Sequence, residues 1–405
     1  MQLKAILNRV EKQPSFIYES VRFVEGSRLE MEVVVRPRVN SRPRCSGCGQ
    51  VGPGYDTQGL RRFEFVPLWG IAVFFVYAMR RVQCRQCGVR VEAVPWASGK
   101  HHLTKTYAWF LARWARRLSW KEVAEVFHTS WQKVFRSVEM AVEWGRVHQD
   151  LDDIEAIGID EIQWQRGHRY LTLVYQIDAG CRRLLWIGKN REAKTLLRFF
   201  HWFGNERGAA LRFICSDMWQ PYLKVVAKKA AQAAHVLDRF HIIKQLGKAI
   251  DDVRAQEVKT LKAEGYEPVL KRTRWLLLKR PENLAEKQEP RLAELLQYNL
   301  RTVRAYLLKE DFQFFWEYHS PYWAGQFLDR WCMRTMRSRL APMKKVARSL
   351  RNHRELLLNW FRAKGAISAG VVEGFNNKAK LTMRKAYGFR TYKAIEVALY
   401  HTLAS

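Results

Sequence analysis

The sequence predicts a multidomain α+β chain, and three observations carry that reading. Two Cys-x-x-C pairs lie within a strand-rich first hundred residues, and unbroken helical periodicity follows them. From residue 151 strand-like and helix-like segments alternate, before a long, basic and wholly helical stretch. With 405 residues, 48% of them hydrophobic, the chain is long and apolar enough for several cores rather than disorder.

Residues 1–100 read as a β-rich module. "MEVVVRPRV" (Met31 to Val39) and "RRFEFVPL" (Arg61 to Leu68) are strands bounded by Pro and Gly. The pairs "CSGC" (Cys45, Cys48) and "CRQC" (Cys84, Cys87) are each followed by glycine, which lets the backbone turn N–H groups toward sulfur. Two such knuckles predict one structural Zn2+ held by four thiolates, in a zinc ribbon. Cys181, Cys215 and Cys332 stand alone and read as small core hydrophobes.

Residues 101–150 switch to helical periodicity. Ser119 with Glu122 forms a capping-box pattern ahead of "WKEVAEVF", "HTS" (His128 to Ser130) is a turn, and Ser130 caps "WQKVFRSVEMAV". Helix, short turn, helix is the helix-turn-helix pattern, although any two-helix hairpin can imitate it. Its second helix would offer Trp131, Gln132, Lys133 and Arg136 to a DNA major groove.

Residues 151–245 alternate. "IEAIGID", "HRYLTLVYQID" and "CRRLLWIG" are three meander strands, and "REAKTLLRFFHWFG" is a helix. The strand "LRFICSD", a helix, the short strand "AHVLD" and a long helix complete the series. That element order is the order of an RNase H-like α/β domain. Residues 246–365 form a basic all-α insertion punctuated by Pro281, Pro290 and Pro342, and residues 366–405 return as the C-terminal helices of the split domain.

In an RNase H arrangement the first and fourth strands are neighbours, so Asp160 and Asp217, at their ends, lie side by side. Glu373, on a helix against that edge, would be the third carboxylate. Clustered carboxylates repel unless a divalent cation sits among them, which implies Mg2+ or Mn2+, with two ions suited to in-line phosphoryl transfer. Each acid also has a plainer use: an Asp after a strand is often a turn or helix cap, and Glu373 suits a helix N-terminus. Glu161, adjacent to Asp160, points to the opposite face and is expected behind the site or at the surface.

The charge points the same way. The 70 Lys and Arg against 39 Asp and Glu leave a formal +31, for which a polyanion such as nucleic acid is the default partner. The apolar run "FEFVPLWGIAVFFVYAM" (Phe63 to Met79) is interrupted by Glu64, Pro67 and Gly70 and does not read as a membrane span. Without a signal peptide, the protein is expected in the cytoplasm, at the nucleoid.

Together "IGIDEIQWQRGHRYLTLVYQID", "SDMWQPY", "HVLDRFHIIKQLGKAIDDVR" and "GVVEGFNNKAKLTMRKAYGF" resemble the DDE transposases of bacterial insertion sequences, of the ISL-three family. The resemblance covers nearly the whole chain. It implies Asp160, Asp217 and Glu373 as the catalytic, metal-binding triad, and Asn377, Lys378, Lys380 and Arg384 as residues touching DNA near the metals. Asp238 and His241 in "DRFH" match a family motif near the site, without an assigned role. One departure is Ala369 in "SAG", where the family usually has Asn. The implied activity is binding of terminal inverted repeats followed by strand cleavage and transfer, with a homodimer or larger assembly on DNA. Two alternatives remain open at this point: a catalytically inactive DNA-binding derivative, and an RNase H-like nuclease without strand transfer.

Overall fold

The computed structural model describes residues 3–404 apart from 27, 100, 267–268, 364–369 and 387, so Ala369 lies outside the described residues. The chain forms two compact units, Met1–Gln149 with Lys393–Thr402, and Asp150–Tyr392 with Leu403–Ser405. Both contain helices, and each contains one mixed five-stranded sheet, as expected of a multidomain α+β chain.

In the first unit, helix α1 (Leu3–Val10) precedes β1 (Phe16–Val24), β2 (Glu30–Pro37), β3 (Gly54–Leu68), β4 (Ile71–Cys84) and β5 (Gly88–Val91). The sheet order is β1-β2-β4-β3, with β5 added to β4. Trp69 and Gly70, at φ of 50° and 79°, make the two-residue turn that closes the β3–β4 hairpin. Positive φ at both positions matches the right-handed twist of the strands. Alternating residues Val33, Phe63, Val73, Phe75 and Tyr77 fill the core around Trp96, whose ring meets Phe16 and Tyr77 edge-on.

Three helices follow: α2 (Lys105–Trp114), α3 (Trp120–Val126) and α4 (Trp131–Val147). The capping box forms as read: Ser119 Oγ accepts from the Glu122 N–H at 3.2 Å, and Glu122 Oε2 accepts from the Ser119 N–H at 2.7 Å. Ser130 caps α4, with its oxygen accepting from the Lys133 N–H.

The second unit holds β6 (Ala156–Gln165), β7 (Arg169–Ile177) and β8 (Arg182–Lys189), then α5 (Ala193–Phe203), α6 (Asn205–Ala210), β9 (Phe213–Ser216), α7 (Gln220–Lys229), β10 (Ala234–Leu237) and α8 (Arg239–Ala263). Its sheet runs β10-β9-β6-β7-β8, so the first and fourth strands of this unit are neighbours, as expected. One expectation is corrected: β6 does not end at Asp160 but runs on to Gln165. Its parallel ladder to β9 stops at Gly158 opposite Cys215, while its antiparallel ladder to β7 continues through Ile162 opposite Leu171.

The all-helical stretch contains α9 (Arg274–Leu278), α10 (Glu289–Leu296), α11 (Arg301–Gln313), α12 (Pro321–Arg337), α13 (Ala341–Asn352) and α14 (Arg354–Arg362) around Phe312, Phe315, Trp316 and Trp331. Buried Glu257 on α8 accepts from the N–H groups of Arg301 and Thr302, satisfying donors at the start of α11. Helix α15 (Gly370–Lys385) then returns to the sheet.

The last helix, α16 (Tyr392–Leu403), lies within the 366–405 stretch but groups with the first unit. There Lys393 Nζ lies 3.0 Å from Glu139 of α4. His401 is buried, and its pKa is lowered to about 4 by burial, with the charge of Arg116 adding to the effect. It is neutral in the fold, whereas an unfolded histidine titrates near 6.5. Its contribution is therefore complete above about pH 6.5 and lost as pH falls toward 4. Thermal melts across that range should show a falling Tm in the native protein and a shallower fall in His401→Gln.

Gly158 is a point where α15 packs tightly on β6. A Cβ there would meet Val372 Cγ2 at 2.5 Å and Ile177 Cγ2 at 3.3 Å. Gly158→Ala should destabilise the protein by about 1–3 kcal/mol, the range for overpacking. In chemical denaturation, adding Val372→Ala to that variant should recover part of the loss.

Candidate active site and metal centre

The second sheet presents a carboxylate just past the point where each of three parallel strands leaves its parallel ladder. Strand β6 leaves β9 at Gly158, two residues before Asp160; β9 ends at Ser216, before Asp217; β10 ends at Leu237, before Asp238. In open α/β sheets such ends line the ligand crevice.

Asp160 is 8% exposed. Its Oδ1 accepts from the Glu161 N–H at 2.7 Å and its Oδ2 from the Asn376 side-chain amide. Burial raises its pKa, and Asp238 and Asp217 push the same way against His241 and the Glu161 N–H. Asp217 Oδ1 accepts from the Trp219 N–H at 2.9 Å, so the turn-capping role considered for it is real and coexists with its place at the site. Its Oδ2 lies 2.7 Å from an Arg191 nitrogen.

Glu161 is not a surface residue. Its side chain is 8% exposed and lies 3.0 Å from Arg191 Nε. Burial, then the charge of Asp217, pushes its pKa up to about 8 despite that arginine. Arg191 thus spans Glu161 and Asp217, and its guanidinium covers the Trp219 ring at 4.6 Å. Nothing in "GKNREAK" signals this role, because the partners come from other strands and meet Arg191 only in the folded sheet.

Asp238 caps α8 by accepting from the Phe240 N–H at 2.8 Å, and its other oxygen lies 3.4 Å from His241 Nδ1. That bond, above all, raises the His241 pKa. The "DRFH" motif is therefore a helix cap with a histidine close against its carboxylate, beside Asp160.

Glu373 is half-buried in the first turn of α15, next to Val372, which packs on Gly158. Phe375 stacks on Tyr175 at 4.7 Å, and Asn376 reaches Asp160. Among the described residues the carboxylates are not drawn together as a ready metal-ligand group; only the four cysteines are. On the outer side of α15, Asn377, Lys378, Lys380 and Arg384 are exposed. In the first unit Trp131, Gln132 and Arg136 are exposed on α4, whereas Lys133 is partly covered and ion-paired with Glu64 of β3.

The sulfur atoms of Cys45, Cys48, Cys84 and Cys87 all lie within 4.8 Å of one another. A tetrahedral zinc with bonds of about 2.3 Å needs sulfur separations of about 3.8 Å, so the cluster fits. Gly49 and Gly88 adopt φ of 74° and 69°, and the Gly47 N–H donates to Cys45 Sγ. The backbone N–H groups of Cys87 and Gln86 hold the Cys84 thiol down to about 7, favouring the thiolate. Cys181, Cys215 and Cys332 take no part in the cluster. Elemental analysis of the purified chain should find about one Zn2+ per molecule. Cys84→Ser should lose that zinc and lower Tm, whereas a folded, zinc-free native protein would contradict the assignment.

Comparison with known proteins identifies the class. A family model described as a transposase matches residues 157–399. The chain is 28% identical to the transposase for insertion sequence element IS1001 of Bordetella parapertussis, over 92% of this chain and 91% of that protein. It is 31% identical to the transposase for insertion sequence element IS1557 of Mycobacterium tuberculosis, over 96% of this chain and 92% of that protein, in two strains. The chain belongs to the ISL-three family of insertion-sequence DDE transposases. A role in acting on DNA follows from that membership, and among the described residues no helix is long and apolar enough to cross a membrane.

Proposed function

We propose that the protein binds the terminal inverted repeats of its own element and catalyses metal-dependent DNA cleavage and strand transfer from an RNase H-like domain. The observation that carries this reading is the set of carboxylates just past the parallel ladders of adjacent strands, with α15, the helix that bears Glu373, packed on the first of them through Val372 and Asn376. Asp160, Asp217 and Glu373 would hold two Mg2+ or Mn2+ ions. The donor set suits them in kind, because carboxylate oxygens are the hard ligands such ions take and Asp160 and Asp217 stand just past the ladders of adjacent strands. When bound, such ions activate the attacking oxygen and stabilise the leaving one.

The remaining work falls to the chain's own residues. Exposed Lys378, Lys380 and Arg384 on α15 supply positive charge for the phosphate backbone beside the acids. Trp131, Gln132 and Arg136 on α4 read the ends, with the zinc module as a second DNA-binding element. Lys133, engaged with Glu64, supports α4 and contributes less to DNA binding than its exposed neighbours. Transposition joins two ends to one target, so the active form is a homodimer or larger assembly on DNA.

The test is to incubate the protein and Mg2+ with labelled end DNA and a target plasmid. The native chain should yield joined products. Asp160→Asn should bind end DNA with unchanged affinity and lose both cleavage and joining; full activity in that variant would remove the site assignment. Cleavage without joining would leave a nuclease, and binding without either an inactive derivative.

A further inference from the structure

Asn376 is 6% exposed and lies three residues after Glu373, on the face that α15 turns to the sheet. Its two amide ends meet different partners. Asp160 Oδ2 can only accept while ionised, so the amide nitrogen faces it. The amide oxygen then accepts from the Tyr175 hydroxyl at 3.1 Å. Tyr175 is fully buried on β7, and its ring stacks on Phe375 at 4.7 Å with an interplanar angle of 10°. No other polar partner of the Tyr175 hydroxyl is found among the described residues, and a reversed amide would set oxygen against carboxylate. The carboxylate therefore sets which way the amide points, and the Tyr175 hydroxyl holds it there by donating to its oxygen.

We infer that Asn376, held by Tyr175, is the positioning residue that sets the Asp160 carboxylate for metal and ties its rotamer to the helix that carries Glu373. The inference rests on the reading of Asp160 as a metal ligand. Oδ1 of that carboxylate is held by the Glu161 N–H and Oδ2 by Asn376, so both oxygens are fixed while each keeps a lone pair for an ion. Because Val372, Phe375 and Asn376 lie on one buried face, the same hydrogen bond that sets Asp160 also sets the height of α15 on β6 and β7. A carboxylate on a strand and another on a distant helix segment are in this way adjusted together. Asn377, one residue later, is exposed and cannot substitute.

The experiment measures Mn2+ affinity of the zinc-loaded full chain by calorimetry, with Tm and zinc content as controls for folding. Loss of an outer hydrogen-bond partner of a metal ligand typically costs about 10- to 100-fold in affinity. Asn376→Leu, close in size but without an amide, should weaken Mn2+ binding by about that factor. Tyr175→Phe keeps the ring stack and removes only the hydroxyl. It should leave Tm near the native value and still weaken Mn2+ binding, so it carries the test if Asn376→Leu does not fold. Since the tyrosine acts through the amide, the double variant should bind no more weakly than Asn376→Leu alone. Asp160→Asn serves as reference. Loss of Mn2+ binding in Asp160→Asn with native affinity in folded Asn376→Leu, or in Tyr175→Phe, would overturn the positioning role alone. Native affinity in Asp160→Asn as well would overturn the metal-ligand reading and this role with it. Additive losses in the double variant would overturn the coupling through Tyr175.

Discussion

The constraint on which the second unit depends is the burial of negative charge just past the parallel ladders of β6, β9 and β10. A carboxylate removed from water is costly unless cations or hydrogen-bond donors surround it. Here the surroundings are specific. Arg191 spans Glu161 and Asp217, Asn376 and a backbone N–H hold Asp160, and Asp238 is satisfied by a helix N-terminus and His241. These partners come from the β8–α5 connection, from α15 and from α8. The site therefore depends on the sheet being assembled around it.

That arrangement leaves the acids undercompensated. Raised pKa values at Asp160 and Glu161 mean that arginine and hydrogen bonds do not fully offset burial. In the metal-binding reading proposed above, a divalent cation would supply the positive charge that favours their ionised forms. The same arrangement bears on why Asp160 and Glu161, consecutive on one strand, are both buried. They face opposite sides of β6, yet Asp217, set beyond the end of β9, interacts with both.

Much of this was legible in the chain. The spacing of the cysteine pairs led to the four-sulfur cluster, and Ser119 with Glu122 led to the cap that forms, because both signals are local. The alternation of elements led to β6 beside β9, because the order of strands and helices leaves few connections that fit. The short helix α1 was missed although Leu3, Ile6, Leu7 and Val10 recur at helical spacing, because eight residues at the edge of a strand-rich module give too short a window to stand out. The end of β6 was misjudged because the apolar run stops where the β9 ladder stops, while the β7 ladder continues through alternating residues.

What the sequence determined by itself was each signal carried by near neighbours: caps, knuckles, strand and helix periods, net charge, and the acids that follow apolar strands. Tertiary structure decided which groups answer those acids. Asn376 meets Asp160 across 216 positions and Tyr175 across 201, and no local pattern marks any of the three as partners. Only a folded sheet with α15 laid over Gly158 brings them within hydrogen-bonding reach. The physical reason is range: propensity and periodicity act over a few residues, whereas compensation of a buried charge is settled by whatever side chains the fold delivers to it.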